Sequence, residues 1–249
     1  MNAKSKPYYF AYEKRYQAVY ASGATLWGHT PDDEILIKTL AGWVTQNNLQ
    51  GKRVVEYACG EGSVGVILSR LGCQYHGIDI APSAIERAKQ LLFEYPFASI
   101  SLLDMVTECM DGEFDAAIDV SGLHMLITDT DRKNYLENVN VSLTQGAPAL
   151  FFRESFSKNA YSGKVSSIAE WKTITGDDFE TPDVRLVINN GITYSVNIPL
   201  IPARAKNKAD YITEMTESGF IVDQFIDMDP SREIWNAASI YVHKDVRYD

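Results

Sequence analysis

Three glycines and one acid in this sequence have the types and spacing that bind a nucleotide. Residues 59–65 read CGEGSVG, a G-x-G-x-x-G pattern formed by Gly60, Gly62 and Gly65. Asp79 follows at the end of the next predicted strand. Glycines at this spacing let the backbone approach a ligand closely, and an acid about 20 residues further on binds ribose hydroxyls. The pattern predicts a cofactor that contains adenosine and leaves the rest of that cofactor open.

Two glutamates beside the glycines indicate which cofactor the loop tolerates. Glu56 ends the preceding predicted strand, and Glu61 lies between the first two glycines with no lysine or arginine in the loop. Each carboxylate that faced a pyrophosphate would cost about 1 kcal/mol or more. S-adenosylmethionine has no phosphate and carries a sulfonium and an ammonium, so it is compatible with acids here. An NAD site remains the alternative if both acids point away from the ligand.

Strands and helices alternate around this loop. The predicted strands are 52–57, 74–79, 98–104, 114–119 and 147–154, and the helices between them are 63–72, 81–92 and 129–146. The last of these helices is predicted to end at a C′ glycine, Gly146. Such alternation requires a parallel sheet with helices on both faces. The sequence therefore predicts a doubly wound α/β fold in which the loop joins the first strand to its crossover helix.

Two helices are predicted before the first strand. In the first, one aromatic stripe at helical spacing is formed by Tyr12, Tyr16 and Tyr20. The second is predicted to begin with Thr30 as its N-cap and Asp33 at the capping-box position. Its predicted buried face consists of Ile35, Leu36, Leu40, Trp43 and Val44.

The alternation is interrupted after residue 154. An insertion over 155–206 carries two strand-like runs around an Asn-Gly turn within 184–199, which predicts a hairpin. A helix over 208–219 and strands over 220–227 and 237–244 complete the pattern. The link between these two strands is too short for a substantial helical crossover, so we expect them to be antiparallel neighbours.

Four segments in order resemble motifs of the class I S-adenosylmethionine-dependent methyltransferases, of the type that acts on small molecules. They read VVEYACGEG, GIDIAPSAIERAK, LLDM and FDAAIDVSGLHML. The first resembles the family's acid and glycine-rich turn, with alanine at one position where glycine is usual, and its matching residues are Glu56, Ala58, Gly60 and Gly62. The fourth ends in the loop that, by the resemblance, lies under the reactive methyl group.

The resemblance also implies roles for residues of the second and third motifs. Asp79 would hold both ribose hydroxyls, and Ile80 would lie against adenine. Asp104 and Met105 would border the adenine amino group. The alternative for Asp79 is a solvated acid at a strand end, and the alternative for Asp104 and Glu56 is a cap of a neighbouring turn.

The resemblance covers residues 50–154 and the terminal strand pair. It implies a Rossmann-like sheet of seven strands that are mostly parallel, with the last strand inserted antiparallel. We expect one methyltransferase domain over 1–249, made of an N-terminal helical lid, a cofactor-binding core, a substrate-side insertion and a final helix with the strand pair. These parts are 1–47, 48–154, 155–206 and 207–249.

The remaining candidate residues are predicted to surround the methyl group. Tyr12, Tyr16 and Trp27 either cover the cofactor as part of the lid or belong to the core. His124 is either a general base, since imidazole accepts protons near neutral pH, or a histidine satisfied by backbone carbonyls. Asp119 is placed among the cofactor contacts as an acid that orients the loop. Candidate acceptor contacts are Tyr20, Arg153 and Glu154, of which the last two are alternatively a surface ion pair.

Composition excludes several classes of partner. With 33 acidic and 23 basic residues, the formal charge of −10 repels nucleic acid. The cysteines, Cys59, Cys73 and Cys109, lack C-x-x-C spacing, so we expect neither a disulfide framework nor a metal site. No apolar run has the length of a membrane span or forms an export signal, which predicts a cytoplasmic protein without membrane contact.

The predicted activity is direct in-line transfer of a methyl group from S-adenosylmethionine to an oxygen, nitrogen or sulfur atom of a small molecule, leaving S-adenosylhomocysteine. Two alternatives remain, an NAD-dependent oxidoreductase and a non-catalytic protein that binds S-adenosylmethionine. The strand pair at 184–197 is a candidate contact of a homodimer.

Overall fold

The computed structural model describes residues 6–110, 112–189, 191–199, 201–228 and 236–247. The strands are β1 Arg53–Tyr57, β2 Gln74–Asp79, β3 Ala98–Leu102, β4 Ala116–Val120, β5 Pro148–Ser155, β6 Pro182–Asn189, β7 Ile192–Pro199, β8 Phe220–Asp227 and β9 Ala237–Lys244. The helices are α1 Ala11–Ala21, α2 Glu34–Gln46, α3 Ser63–Arg70, α4 Pro82–Leu91, α5 Asp129–Val141, α6 Ile168–Thr175 and α7 Lys208–Glu217. Single 3-10 turns cover Tyr8–Phe10 and Leu123–Met125.

Seven strands form one sheet in the order β3-β2-β1-β4-β5-β9-β8. The first five pair in parallel, and β9 is antiparallel to both of its neighbours, β5 and β8. This topology confirms the predicted fold and the predicted antiparallel pair. Of the link between β8 and β9, residues 229–235 lie outside the described part of the chain. The strand order reverses at β1, whose neighbours are β2 and β4, and α/β ligands bind at the carboxyl ends of strands at such a point.

The central strands are buried on both faces. In β1, Val54 packs into the cluster on one side of the sheet, whereas Val55 and Tyr57 pack into the cluster on the other. This alternation follows from the two-residue period of a strand. Because both faces are covered, these strands are mainly apolar, and polar residues such as Glu56 and Asp119 lie towards their carboxyl ends.

Two predicted helix boundaries are wrong. Thr30 does not cap α2. Its carbonyl closes a turn by accepting from the Asp33 N–H at 3.1 Å, and Asp33 is the N-cap that accepts from the Leu36 N–H. Likewise, α5 ends at Val141 and not before Gly146, because Leu143 already pairs with Phe114 beside the sheet. The predicted buried face of α2 is confirmed except for Ile35, which is half-buried.

The insertion contains the predicted hairpin and one helix, α6, that the sequence pattern did not predict. Strands β6 and β7 pair over their full length, from Pro182 with Pro199 to Asn189 with Ile192. Asn190, in the predicted Asn-Gly turn, lies outside the described residues. The inner face of the hairpin packs on α1 in a cluster of Val19, Ala24, Val187, Val196 and Ile198. The hairpin therefore covers the outer side of the N-terminal helix.

Candidate active site

Three non-glycine residues at the carboxyl edge of the sheet have left-handed backbones. Ala58 follows β1 with φ 56°, Ser121 follows β4 with φ 66°, and Arg153 lies in the irregular part of β5 with φ 59°. Side chains with a Cβ avoid this region, at a cost of about 1–3 kcal/mol each, and such residues cluster at functional sites. Their position on three adjacent strands marks this edge as the candidate site.

The glycine loop is fastened to Asp79. The Gly60 N–H donates to one carboxylate oxygen and the Ala81 N–H to the other, each at 2.8 Å. Burial raises the pKa of Asp79 to about 6, although these N–H donors oppose the rise. A carboxylate oxygen accepts more than one hydrogen bond. Both oxygens therefore keep capacity for two ligand hydroxyls.

The other glycines of the motif are needed for packing. Gly62 has φ 84°, precedes α3 and lies against Ala88 of α4. Gly65, inside α3, faces the ring of Tyr75, and a Cβ there would clash with the ring. The motif thus combines a left-handed turn with a close approach between helix and strand.

Glu56 lies beneath this loop and not on its surface. Its side chain is buried and accepts a hydrogen bond from the Tyr75 hydroxyl. Burial raises the pKa of Glu56, and the nearby Asp119 and Asp79 raise it further. Whether Glu56 contacts a cofactor stays a prediction.

Aromatic side chains of the N-terminal segment cover the motif residues. A Cβ built on Gly60 would lie 2.8 Å from the Tyr16 hydroxyl, which places this tyrosine directly over the loop. The Tyr9 hydroxyl donates to the Asp104 carboxylate at 3.1 Å. The Tyr12 hydroxyl is buried and has no hydrogen-bond partner among the described residues. Burial, assisted by Asp79, raises the pKa of Tyr12, so its hydroxyl is a neutral donor close to that acid.

Two carboxylates fasten the N-terminal segment to the core. Glu61 accepts from the Tyr20 hydroxyl and the Trp27 N–H, each at 2.8 Å, and from the Gly28 N–H at 3.1 Å. Glu13 of α1 accepts from Ser83, from its hydroxyl at 2.7 Å and its N–H at 3.0 Å. We name the pair Glu13 and Glu61 the lid contacts. Sequence reasoning did not predict them because their partners are distant in the chain.

The third motif meets the same segment. Asp104 also accepts from the Val106 N–H at 3.1 Å, which orders the turn after β3. Ile80 and Met105 are half-buried and pack against the core cluster that contains Tyr9. Asp104 is thus in direct contact with Tyr9 of the N-terminal segment, and Ile80 and Met105 pack against the cluster that Tyr9 joins.

His124 and Glu154 form a buried pair at the ends of β4 and β5. One oxygen of Glu154 accepts from the His124 backbone N–H at 2.7 Å and lies 2.9 Å from its Nδ1. Both side chains are buried. Asp119 accepts from the Gly122 N–H at 2.6 Å and from the Tyr135 hydroxyl at 2.5 Å, which shapes the turn before His124. This position fits its predicted role as an acid that orients the loop, which stays a prediction.

Arg153 is held by the start of α2. Its guanidinium donates to both oxygens of Asp33, at 2.6 and 3.2 Å, and lies 3.0 Å from His29 Nδ1. Burial lowers the pKa of His29, and the charge of Arg153 adds to that effect. The structure thus places Arg153 in an ion pair that joins β5 to the N-terminal segment, and its predicted contact with the acceptor stays untested.

Two features are absent from the described residues. Within 6–110, 112–189, 191–199, 201–228 and 236–247, no three histidine, cysteine, aspartate or glutamate side chains are grouped to hold a metal ion. No helix in the same ranges has the length and apolar character needed to cross a membrane.

Comparisons with known proteins identify what this site is similar to. Residues 54–146 match the family model described as a methyltransferase domain. The ribosomal protein L11 methyltransferase of Burkholderia lata is 34% identical over 77 residues, which are 30% of this chain and 25% of that protein. The chain thus spans about a quarter of the length of the curated relatives it matches.

Solved structures share the fold at low identity. An S-adenosylmethionine-dependent methyltransferase from Clostridium acetobutylicum superimposes with a TM-score of 0.64 and 12% identity, covering 95% of this chain and 99% of that one. An amino pentose methyltransferase from Micromonospora echinaspora, solved with S-adenosylmethionine, gives a TM-score of 0.61 at 13% identity, with coverage of 92% and 96%. These likenesses show a common fold over most of the chain.

Proposed function

We propose that this chain is a class I S-adenosylmethionine-dependent methyltransferase that methylates a small molecule, because residues 54–146 match a methyltransferase domain and the chain shares the fold of such enzymes. The observation that carries the proposal is Asp79, held by two backbone N–H groups at the sheet's switch point beneath the N-terminal tyrosines. A carboxylate in this place accepts the two hydroxyls of a ribose.

The loop's own hydrogen bonds favour a sulfonium nucleoside over NAD. A pyrophosphate site needs free backbone N–H groups at the helix start. Here the Gly60 N–H donates to Asp79, and the Gly62 N–H donates to the Cys59 carbonyl at 2.9 Å. Asp79, whose pKa of about 6 leaves it ionised at neutral pH, stabilises a cationic ligand and repels a diphosphate.

The residues present fit S-adenosylmethionine in a definite arrangement. Asp79 would bind the ribose, and Asp104 with Met105 and Ile80 would border the adenine. The buried Tyr12 hydroxyl, which lacks a partner among the described residues, supplies a donor for a ligand oxygen near Asp79. Tyr16 and Trp27 would shield the methionine end as part of a lid over Gly60 and Gly62.

The chemistry required of the protein is alignment and exclusion of water. When bound, the cofactor supplies a methyl group already activated by its sulfonium. Holding the acceptor in line with this group can lower the barrier by roughly 7–11 kcal/mol in favourable cases. The lid contacts attach the segment to the core, and His124, in the turn after β4, would take a proton from the acceptor.

A small acceptor is favoured by the closed N-terminal segment. Tyr16 of this segment lies over Gly60, and the hairpin packs on the outer side of α1, an arrangement that favours a small acceptor over a folded protein. The ribosomal protein methyltransferase match covers only a quarter of that relative, so we do not extend its protein substrate to this chain. One structural neighbour acts on an amino pentose, an acceptor of the size proposed.

Calorimetric titration with S-adenosylhomocysteine and with NADH tests the proposal. We expect the nucleoside to bind and NADH not to bind. Asp79→Asn should weaken S-adenosylhomocysteine by about 1.5–3 kcal/mol, which is roughly 10- to 150-fold in Kd. The matched control is Asp223→Asn, which alters an exposed carboxylate hydrogen-bonded to His243 and should change nothing.

Three other outcomes would count against the proposal. NADH binding would support the oxidoreductase. An unchanged Kd in Asp79→Asn would remove the ribose contact. Binding without turnover of any acceptor would support the non-catalytic alternative.

A further inference from the structure

We propose that Glu154 is a positioning residue that holds His124 as the proton acceptor for a hydroxyl group of the methyl acceptor. This inference rests on the proposed methyl transfer and deepens it by naming the class of the attacking atom. It also gives Glu154 a different role from the direct acceptor contact predicted from the sequence.

The geometry of the pair determines the tautomer of His124. The same Glu154 oxygen that accepts from the His124 backbone N–H lies 2.9 Å from His124 Nδ1. A carboxylate only accepts, so the proton of a neutral imidazole is on Nδ1 and the lone pair is on Nε2. The His124 carbonyl accepts from the Arg204 N–H at 2.7 Å, which holds the residue from the other side. No described residue forms a hydrogen bond with Nε2, which leaves that atom for a ligand.

The Glu154 carboxylate has hydrogen bonds on only one of its two oxygens. Glu154 is fully buried, and its other oxygen has no hydrogen-bond partner within the described parts of the chain. Buried polar atoms are seldom left unsatisfied, and exceptions occur where function requires them. Because few hydrogen bonds offset its charge, the Glu154 carboxylate stabilises the imidazolium that forms when Nε2 takes a proton.

Side chains from other elements surround the pair. Asp119 comes from β4, Arg132 and Tyr135 from α5, and Tyr211 from α7, and Glu154 interacts electrostatically with all four. Arg132 and Lys206 both pair with Glu214, at 2.6 and 2.7 Å, so that with Glu154 and Asp119 three acidic groups face two cations. The surroundings of the pair are therefore acidic.

Acidic surroundings select among acceptors. A carboxylate or thiolate acceptor would be repelled by Glu154. An amine would be stabilised there as its ammonium form, which has no lone pair with which to attack. A hydroxyl is neutral, keeps its lone pairs, and needs a base because it must lose its proton.

In the proposed transfer, one bond forms at the methyl carbon as another breaks. The acceptor oxygen forms a bond to the methyl carbon while the carbon–sulfur bond breaks, and that electron pair remains on sulfur. The hydroxyl proton passes to His124 Nε2. The products are a methyl ether, S-adenosylhomocysteine and an imidazolium, which later returns its proton to water.

The first test determines which imidazole nitrogen of His124 carries the proton, without catalytic turnover. Nitrogen-15 NMR of the imidazole, assigned by loss of its signals in His124→Asn, should show Nδ1 protonated and Nε2 bare in the free protein. In Glu154→Gln this preference should be lost, because an amide can donate to Nδ1. Asp223→Asn, which alters the exposed pair with His243, is the control and should leave the His124 signals unchanged. An Nε2-protonated imidazole in the unsubstituted protein would overturn the proposal.

The second test defines the acceptor with a tritiated methyl donor and a panel of phenol, catechol, benzyl alcohol, benzylamine and thiophenol. We expect product only from hydroxyl compounds, with kcat reduced roughly 100-fold by His124→Asn and at least tenfold by Glu154→Gln, at little change in KM. Product from the amine or thiol alone, or no product from any hydroxyl, would overturn the inference. Loss of S-adenosylhomocysteine binding would instead count against the proposed function.

Discussion

Tyr12 differs from its neighbours on the N-terminal segment in having a buried hydroxyl that no described residue satisfies. Tyr9 and Tyr20 each donate to a carboxylate, at 3.1 and 2.8 Å. A buried donor without an acceptor costs about 1–3 kcal/mol, so a ligand that supplies an oxygen there is favoured. At the scale of single residues, this hydroxyl and Asp79 are the atoms that most directly predict ligand binding.

Replacing Tyr12 by phenylalanine should separate binding from folding. The variant loses no hydrogen bond in the free protein, so its Tm should stay equal or rise. Its affinity for S-adenosylhomocysteine should fall by about 0.5–1.5 kcal/mol, measured by calorimetry. Tyr57→Phe is the matched control, because the Tyr57 hydroxyl donates to Ser142 at 3.0 Å inside the core. That variant should lose about 1 kcal/mol of stability and keep its affinity; the reverse pattern would contradict the role of Tyr12.

At the scale of elements, α1 is attached in the way expected of the proposed lid. Its inner side lies on the glycine loop and α4 through the lid contacts, and its outer side carries the hairpin β6–β7. Hydrophobic periodicity predicted a helix here. The tertiary contacts depend on Glu13 and Glu61, which meet partners about 30 to 70 positions away in the chain.

Removing the charge of Glu61 should loosen this lid. Three donors converge on its carboxylate, and hydrogen bonds to charged groups contribute about 1.5–3 kcal/mol. In Glu61→Gln we expect backbone amides over 11–28 to exchange with deuterium at least tenfold faster, while amides of β1 and β4 are unchanged. Glu137→Gln, at an exposed position of α5, is the control. Equal exchange in both variants would show that the lid is held by other contacts.

At the scale of the whole molecule, buried acids at the sheet edge make stability depend on pH. Burial raises the pKa of Asp79 from its ordinary value of 3.8 to about 6 in the folded state. The folded protein therefore binds the proton more tightly than the unfolded chain does. The stabilising contribution is fully present below the unfolded pKa and is lost as the pH rises through about 6.

Urea unfolding at pH 5 and pH 7.5 measures this effect. The ligand-free protein should lose more stability between these values than Asp79→Asn does, because asparagine does not titrate. The raised pKa of Asp79 corresponds to roughly 2–3 kcal/mol in the free energy of unfolding over the full titration. Part of this difference falls between pH 5 and pH 7.5. Equal pH dependence in the two proteins would contradict the raised pKa of Asp79.

The sequence predicted those parts of the molecule whose determinants are local. The strand–loop–helix pattern and the spacing from Gly60 to Asp79 fix the sheet, the glycine turn and the acid that holds it. Contacts between residues distant in the chain have no such local signal. Asp33 is a helix cap because the chain turns at Thr30. It also binds Arg153, which lies 120 positions away. The predicted homodimer at 184–197 stays a prediction, although one face of that hairpin is already occupied by α1.

The position of the hairpin has a consequence for turnover. Since β6 and β7 rest on the back of α1, and Arg15 donates to the Pro199 carbonyl at 2.7 Å, any opening that releases spent cofactor must displace both layers together. Product release limits the rate of many enzymes with such covers. Substitutions in the hairpin, remote from the reacting atoms, would then set how fast the enzyme cycles without altering the chemical step.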